Sequence, residues 1–271
     1  SWEPPVTEVR GVPGVPDYDV AERAGRRGDA LVVVPVLDEG DRIRRQLGRM
    51  GALGLDAHRA DLAVADGGSA DGSLDEASLA TGGVRAVLTK RGAGALSAQL
   101  RMAIHWAMEE GYEHLVTIDG NGKDGVDGVL RVLEALRAGH DYVQGSRYVE
   151  GGVAINTPPS RHWAVKLVHA PLLSLGARHR FTDTTNGLRG WSLRALADPR
   201  VAPLRDVFAA YNLHYYLTVR LPRLGYPACE VPVTRAYPPE GRIPTKIRGA
   251  GPKLGILRDA ARAAAGRFDP D

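Results

Sequence analysis

Cysteine is almost missing from this chain. Cys229 is the only one in 271 residues, so no internal disulfide and no cysteine-based metal cluster can form. That economy fits a reducing, cytoplasmic setting. Long apolar runs are missing too. No stretch reaches the roughly 18 consecutive apolar residues of a membrane-crossing helix, and the longest, 164–177, is broken by Lys166, His169 and Pro171. The N-terminal segment lacks a signal-peptide layout. Nor is there an excess of one charge: 35 basic against 32 acidic residues leave +3, too balanced to imply a nucleic-acid partner. With 44% hydrophobic and 25% charged residues, the composition is that of an ordinary globular protein. What abounds is turn chemistry, with 33 glycines and 18 prolines.

The order of patterns along the chain predicts an α/β fold. Residues 1–29 hold Pro4, Pro5, Gly11, Pro13, Gly14 and Pro16, then a charged stretch, and read as an extended arm with room for one short helix. The run 31–37 is rich in valine and reads as a strand buried on both faces, as in parallel sheets. A turn at 38–41 leads into an amphipathic helix with Ile43, Leu47 and Met50 on one side. Strands at 61–65, 84–88, 114–118 and 141–144 then alternate with helices ending near 80, at 95–110 and at 126–138. Asp71 is the expected cap of the first of these helices. Strand-then-helix repetition implies right-handed crossovers and a mostly parallel central sheet flanked by helices. From 145 the rhythm breaks into an irregular half. It holds a loop to 159, an apolar helix near 161–175, a turn-rich segment at 181–191, a helix near 205–221 and a strand at 228–233. We expect one domain over 30–247, divided into halves 30–145 and 146–247, followed by a basic tail at 248–271.

In open α/β sheets ligands bind beyond the carboxyl ends of the strands. Those ends carry Asp38 and Glu39, Asp66, Lys90 and Arg91, and the acidic segment 119–124. A single acid there commonly caps the next helix. Four consecutive charged strand ends point instead to a functional site.

Five segments carry a specific resemblance. VVVPVLDEG at 32–40 resembles the PxxNE opening of family 2 glycosyltransferases: Pro35 and Glu39 match, and Asp38 replaces Asn. VADGGSADGS at 64–73 resembles that family's VDDGSTDGT segment, with Gly67 where a second Asp is common. GSRYVEGG at 145–152 and FTDTTNGLRGWS at 181–192 resemble segments of the branch containing dolichyl-phosphate mannose synthases and their bacterial polyprenyl-phosphate relatives. YPPEGRIPTKI at 237–247 is similar to a late loop with a basic residue and a Ser/Thr-Lys pair. The segments keep their order from 31 to 247.

The resemblance implies a GT-A fold. It also implies inverting transfer of a sugar from a nucleoside diphosphate, UDP or GDP, to a polyprenyl phosphate at the inner membrane surface. A soluble small-molecule acceptor stays open, as does a non-catalytic nucleotide-sugar binder. A nucleotidyltransferase fits less well, because the first loop is acidic rather than basic and glycine-rich. By the same resemblance Pro35, Leu37, Glu39, Asp66, Arg91, Asp119 and Gly120 surround the donor nucleotide. Arg147, Arg189, Arg242 and Lys246 face the diphosphate, since arginine offers paired hydrogen bonds and lysine a point charge. Asp183, Arg147 and Lys246 are the expected catalytic groups, Asp183 activating or orienting the acceptor unless it serves only as a turn cap. The Gly/Pro-rich surroundings of Arg242 and Lys246 predict a loop that closes over the donor.

The metal motif departs from the family's DAD-Leu-Gln. Here 119–124 reads Asp-Gly-Asn-Gly-Lys-Asp. Mg²⁺ or Mn²⁺ is expected at Asp119, assisted by Asn121, which supplies an oxygen without charge, and by Asp124. The alternative is that Lys123 neutralises the diphosphate itself. The helix near 161–175 sets Trp163, Leu167 and Leu172 beside Arg161, Lys166 and His169. That pattern suits either a lipid interface or the core.

Overall fold

The computed structural model describes residues 4–239 and 250–271. The strands β1 (Val6–Val9), β2 (Tyr18–Glu22), β3 (Ala30–Val36), β4 (Ala60–Asp66), β5 (Val84–Lys90), β6 (His114–Thr117) and β7 (Tyr142–Ser146) come first. From β3 onward they alternate with helices α1 (Asp41–Leu53), α2 (Glu76–Gly82), α3 (Leu96–Glu109) and α4 (Gly128–Arg137). The second half adds β8 (Val153–Ile155), α5 (Pro159–Ala164), a π-helical turn (Val165–His169) and α6 (Ala170–Ala177). Then follow β9 (Arg189–Ser192), α7 (Leu193–Leu196), α8 (Asn212–Arg223), β10 (Ala228–Pro232), β11 (Thr234–Ala236) and α9 (Ala250–Ala264).

One sheet runs in the order β1-β2-β5-β4-β3-β6-β9-β7-β10, and β11 pairs with β8 in a small parallel ribbon. β3, β4, β5 and β6 are mutually parallel, as the alternation predicts. β3 explains the double-sided core. Leu31 and Val33 belong to the core cluster built with α3, α8 and α9, while Val32, Val34 and Val36 belong to the one built with α1 and α4. Burying each such Val or Leu fully contributes about 1.5–3 kcal/mol over leaving it exposed.

Four expectations need correcting. The arm is extended, as expected, but its described residues belong to the sheet: β2 buries Tyr18 and Val20 and pairs antiparallel with β5, which would otherwise be an open edge. Its charged stretch forms no helix. The cap of α2 is Asp75, which accepts from the Ser78 N–H at 2.9 Å, because Asp71 is spent on Ser73 and Gly40. The turn-rich segment contains β9, which runs antiparallel between β6 and β7. Part of the tail is α9, whose Ala260 and Ala263 are buried, with Phe268 beyond it, in the core that includes α6 and α8. The apolar helix near 161–175 is present but widens into a π turn just before Pro171, which has no N–H to offer Leu167. Among the described residues no helix is long and apolar enough to cross a membrane.

Candidate active site

Two turns interlock at the carboxyl ends of β3 and β4, which stand in register at Val36 and Asp66. Asp66 accepts from the Ser69 N–H (2.9 Å) and hydroxyl (2.7 Å). The Asp38 N–H donates to the Ser69 hydroxyl, and the Asp38 carboxylate accepts from the Ala70 N–H at 2.8 Å. The Gly40 N–H reaches Asp71 at 2.9 Å. From α3, the Gln99 amide donates to the carbonyls of Val36 (2.9 Å) and Ala65 (2.8 Å), tying the two strand ends together. This tie also accounts for Gly67. A Cβ there would stand 3.2 Å from the Gln99 amide nitrogen and 3.4 Å from the Leu37 side chain, so a second acid would press on the tie. Pro35, Leu37, Glu39 and Asp66 thus share one edge. Arg91 does not join them: it pairs with Asp19 of β2 at 2.7 Å. Lys90, whose pKa is lowered by burial against the opposing pull of Asp66, donates to the Gly92 carbonyl.

The segment after β6 lies beside these turns. Gly120 packs on the Pro35 carbonyl, which a Cβ would approach to 2.8 Å. Gly187 abuts Asp119, whose carboxylate a Cβ would overlap at 2.1 Å, so any side chain at 187 would displace Asp119. Asn121 turns its amide nitrogen toward Asp119 (3.4 Å), and its oxygen accepts from the Lys123 N–H (3.2 Å). Asp124 is buried, with both oxygens held by Arg235 Nη1 at 2.8 and 2.6 Å. Arg235 Nη2 stands 3.5 Å from Asp119. Asp119, Asn121 and Asp124 therefore do not converge as a ligand set. Among the described residues no three His, Cys, Asp or Glu side chains group for a metal. Asp119, a quarter exposed, is the carboxylate of the three that is open to a ligand, with Asn121 half-buried beside it.

Around this loop gather three cations, of which the sequence singled out Lys123 alone for chemistry. Lys123, Arg161 and Arg235 lie 5.1, 5.5 and 5.8 Å from the Tyr237 ring centre, and Arg161 donates to the Tyr237 hydroxyl at 2.9 Å. Burial would push the phenol up, but Arg235 and then Arg161 outweigh it and bring it down to about 7. Burial, then Arg235, lowers Lys123 to about 8.

On the acceptor side Arg147 and Asp183 form a buried pair, with Nε–Oδ2 at 2.7 Å and Nη2–Oδ1 at 3.2 Å. Burial raises the carboxyl, yet Arg147 more than offsets it and keeps Asp183 ionised. Asp183 also accepts from the Thr185 N–H, the turn-cap geometry its sequence context allows. Among the described residues Arg147 Nη1 has no partner. Arg189 corrects an expectation. It is buried and donates to the carbonyls of Thr184 (2.7 Å), Asn186 (2.9 Å) and His214 (3.2 Å) and to the Thr218 hydroxyl (2.9 Å). It braces the turn against α8 and has no fork left for a diphosphate. Glu230, also missed, accepts from the Thr182 and Asp183 N–H groups at 2.9 and 3.1 Å. Arg242 and Lys246 lie outside the described residues. The only sequence signal for Arg235 was a lone arginine in an otherwise uncharged strand run.

A mostly parallel sheet with interlocked acidic turns at its carboxyl edge and a cation-lined second half is an arrangement of the GT-A fold. No protein-family model matches the chain. Solved structures agree on the fold. Glucosyl-3-phosphoglycerate synthase from Mycobacterium tuberculosis, solved with Mn²⁺, UDP and glucosyl-3-phosphoglycerate, has a TM-score of 0.57 at 18% identity, over 90% of this chain and 81% of that one. Mannosyl-3-phosphoglycerate synthase from Rubrobacter xylanophilus has a TM-score of 0.61 at 16% identity, over 88% and 73%. Among curated proteins, undecaprenyl-phosphate mannosyltransferase of Micrococcus luteus is 34% identical over 215 residues, 75% of this chain and 82% of its own length. Polyprenol monophosphomannose synthase of Mycolicibacterium smegmatis is 28% identical over 245 residues, 88% of each. The chain belongs to the family 2 glycosyltransferases, in the branch of the polyprenyl-phosphate mannosyltransferases.

Proposed function

We propose that this enzyme moves a sugar, mannose by analogy with both curated relatives, from a nucleoside diphosphate to the phosphate of a polyprenyl phosphate. The observation that carries the reading is the meeting of the interlocked acidic turns with a cluster of buried cations at one edge of the sheet. Ribose hydroxyls and base N–H groups would donate to the carboxylates of Asp66 and Glu39, with Pro35 and Leu37 as walls. An acceptor phosphate oxygen attacks the anomeric carbon, a C–O bond forms there, and the bond to the donor β-phosphate breaks on the opposite side, inverting the centre. That oxygen is already anionic near neutral pH, so no strong base is needed. Asp183 accordingly orients Arg147 instead of taking a proton. Cations fixed near the departing diphosphate stabilise the charge that develops there. Arg147 fills that role, and Arg242 and Lys246 are assigned to it by resemblance alone.

Mg²⁺ or Mn²⁺, with which solved neighbours were crystallised, would add positive charge to the donor diphosphate. Asp119 fits such an ion, whereas Asn121 and Asp124 do not. A lipid-linked acceptor would bring the enzyme to a membrane surface, which we read as the cytoplasmic one. Trp163, Leu167 and Leu175 on α5–α6 are 57%, 66% and 80% exposed, with Leu254 and Leu257 of α9 outward as well. They suit that contact beside Lys166. Incubation with GDP- and UDP-linked sugars and a short polyprenyl phosphate tests the proposal. Sugar should appear in the lipid-extractable phase. Transfer only to soluble acceptors, or none from any donor, would overturn it.

A further inference from the structure

Arg235 stands between the two carboxylates that frame the loop after β6, where the resemblance leads one to expect a divalent ion. Its position is fixed from three sides. Its own strand, β11, pairs with β8. The Gly125 N–H donates to the Thr234 carbonyl at 2.9 Å, and the Ala236 N–H donates to the Lys123 carbonyl at 2.8 Å. The guanidinium then grips both oxygens of Asp124 and extends its other nitrogen toward Asp119. Among the described residues its Nε has no partner. This is a preorganised buried cation rather than a long surface side chain that happens to touch an acid.

Charge counting shows what the arrangement does. A loop with two or three free carboxylates repels a diphosphate and needs a doubly charged ion between them. Here Asp119 and Asp124 are matched within the same loop region by Lys123 and Arg235, so the formal charge of these four groups is zero before any ion arrives. Asn121 has removed one further negative charge. The substitutions that spoil the metal motif and the cations that neutralise it thus occur together. Arg161, bonded to Tyr237, adds positive charge on the adjoining wall.

We propose that Arg235, with Lys123, is a resident counter-charge for the donor diphosphate, so that a divalent ion adds to sugar transfer without being required for it. The inference rests on the donor placement above. As the anomeric C–O bond breaks, its electron pair stays on the β-phosphate oxygen. The fixed cations meet that charge without reorganising.

Two measurements on the purified full chain test this. The first is calorimetry of nucleoside diphosphate binding, with transfer rates alongside, in excess chelator and in Mn²⁺. Wild type should differ by less than about tenfold between the two conditions. The second uses the paired variant Asp124→Asn/Arg235→Met, which leaves neither charge buried alone and, although the sum over the four groups stays zero, strips Asp119 of the guanidinium that stands 3.5 Å from it. In chelator its nucleotide affinity and rate should fall by about 10²-fold, and added Mn²⁺ should restore part of the loss. Should that variant fail to fold, Arg235→Lys keeps the charge and should keep wild-type indifference to chelator. Loss of wild-type nucleotide binding in chelator would overturn the inference. So would a paired variant that remains as indifferent as wild type, or an Arg235→Lys variant that needs Mn²⁺. Metal-indifferent nucleotide binding with no transfer to lipid would instead count against the acceptor reading and leave Arg235's role standing.

Discussion

On the donor side, Asp38, Asp66 and Asp71 spend their oxygens on N–H and hydroxyl groups of two short neighbouring turns. Across the site, Arg147 is held by an aspartate 36 residues away and Arg235 by one 111 residues away. The first arrangement consists of neutral donors on partly open turns, so a carboxylate keeps capacity for a ligand. In the second, opposite charges are sealed together, and removing one leaves the other buried without compensation. Changes to the turns should therefore be read in binding, and single changes that split a sealed pair first in stability.

The largest effect should follow from Asp183→Ala, which strands the Arg147 guanidinium. A loss of about 3–5 kcal/mol is expected in denaturant unfolding, largely recovered when Arg147→Met is added. A loss below about 1 kcal/mol would erase the distinction between the two sides.

His169, on the π turn and bonded to the Thr184 hydroxyl at 2.7 Å, should make the acceptor side acid-sensitive. Burial, then Arg189, lowers its pKa to about 4 from an ordinary value of 6.5. The unfolded chain therefore binds more protons across that window. The stabilisation is complete above pH 6.5 and is lost as pH falls toward 4, on the order of 3 kcal/mol in all. His169→Gln should flatten this limb in unfolding curves taken from pH 7 to 4. An equally steep limb in the variant would assign it to other groups.

Asp66→Ala should sharpen the comparison from the other side. Nucleotide affinity should drop by about 1–3 kcal/mol in calorimetry, while the fold loses only about 1 kcal/mol with the Ser69 contacts. Unchanged affinity would place the nucleotide elsewhere. The smallest effect belongs to Trp163→Ala, which should leave stability within about 0.5 kcal/mol yet reduce co-sedimentation with anionic vesicles. Undiminished co-sedimentation would move the lipid contact off α5.

These contrasts also mark what could be read from sequence. β3, β4, β5 and β6 were legible because each carries its own apolar run, and the two interlocked turns because their motif is local. β2 and β9 were not. The first hides among prolines and glycines, and the second is four residues whose strand character depends on the gap between β6 and β7. α9 was masked by Gly251 and Pro252, although proline is tolerated in a first helical turn. Arg189 and Arg235 look alike in sequence, as basic residues in or beside matched segments. Their partners, carbonyls for one and carboxylates for the other, are set by tertiary packing alone.

The antiparallel insertion of β9 also sets an order of events during synthesis. Among the described residues β7 touches the sheet only through β9 and β10, both of which emerge from the ribosome after it. A nascent chain that ends before residue 189 can assemble β3, β4, β5 and β6, but it leaves β6 and β7 with open edges. Arg147 emerges 36 residues ahead of Asp183, and its charge must wait in water until the later half arrives to enclose it.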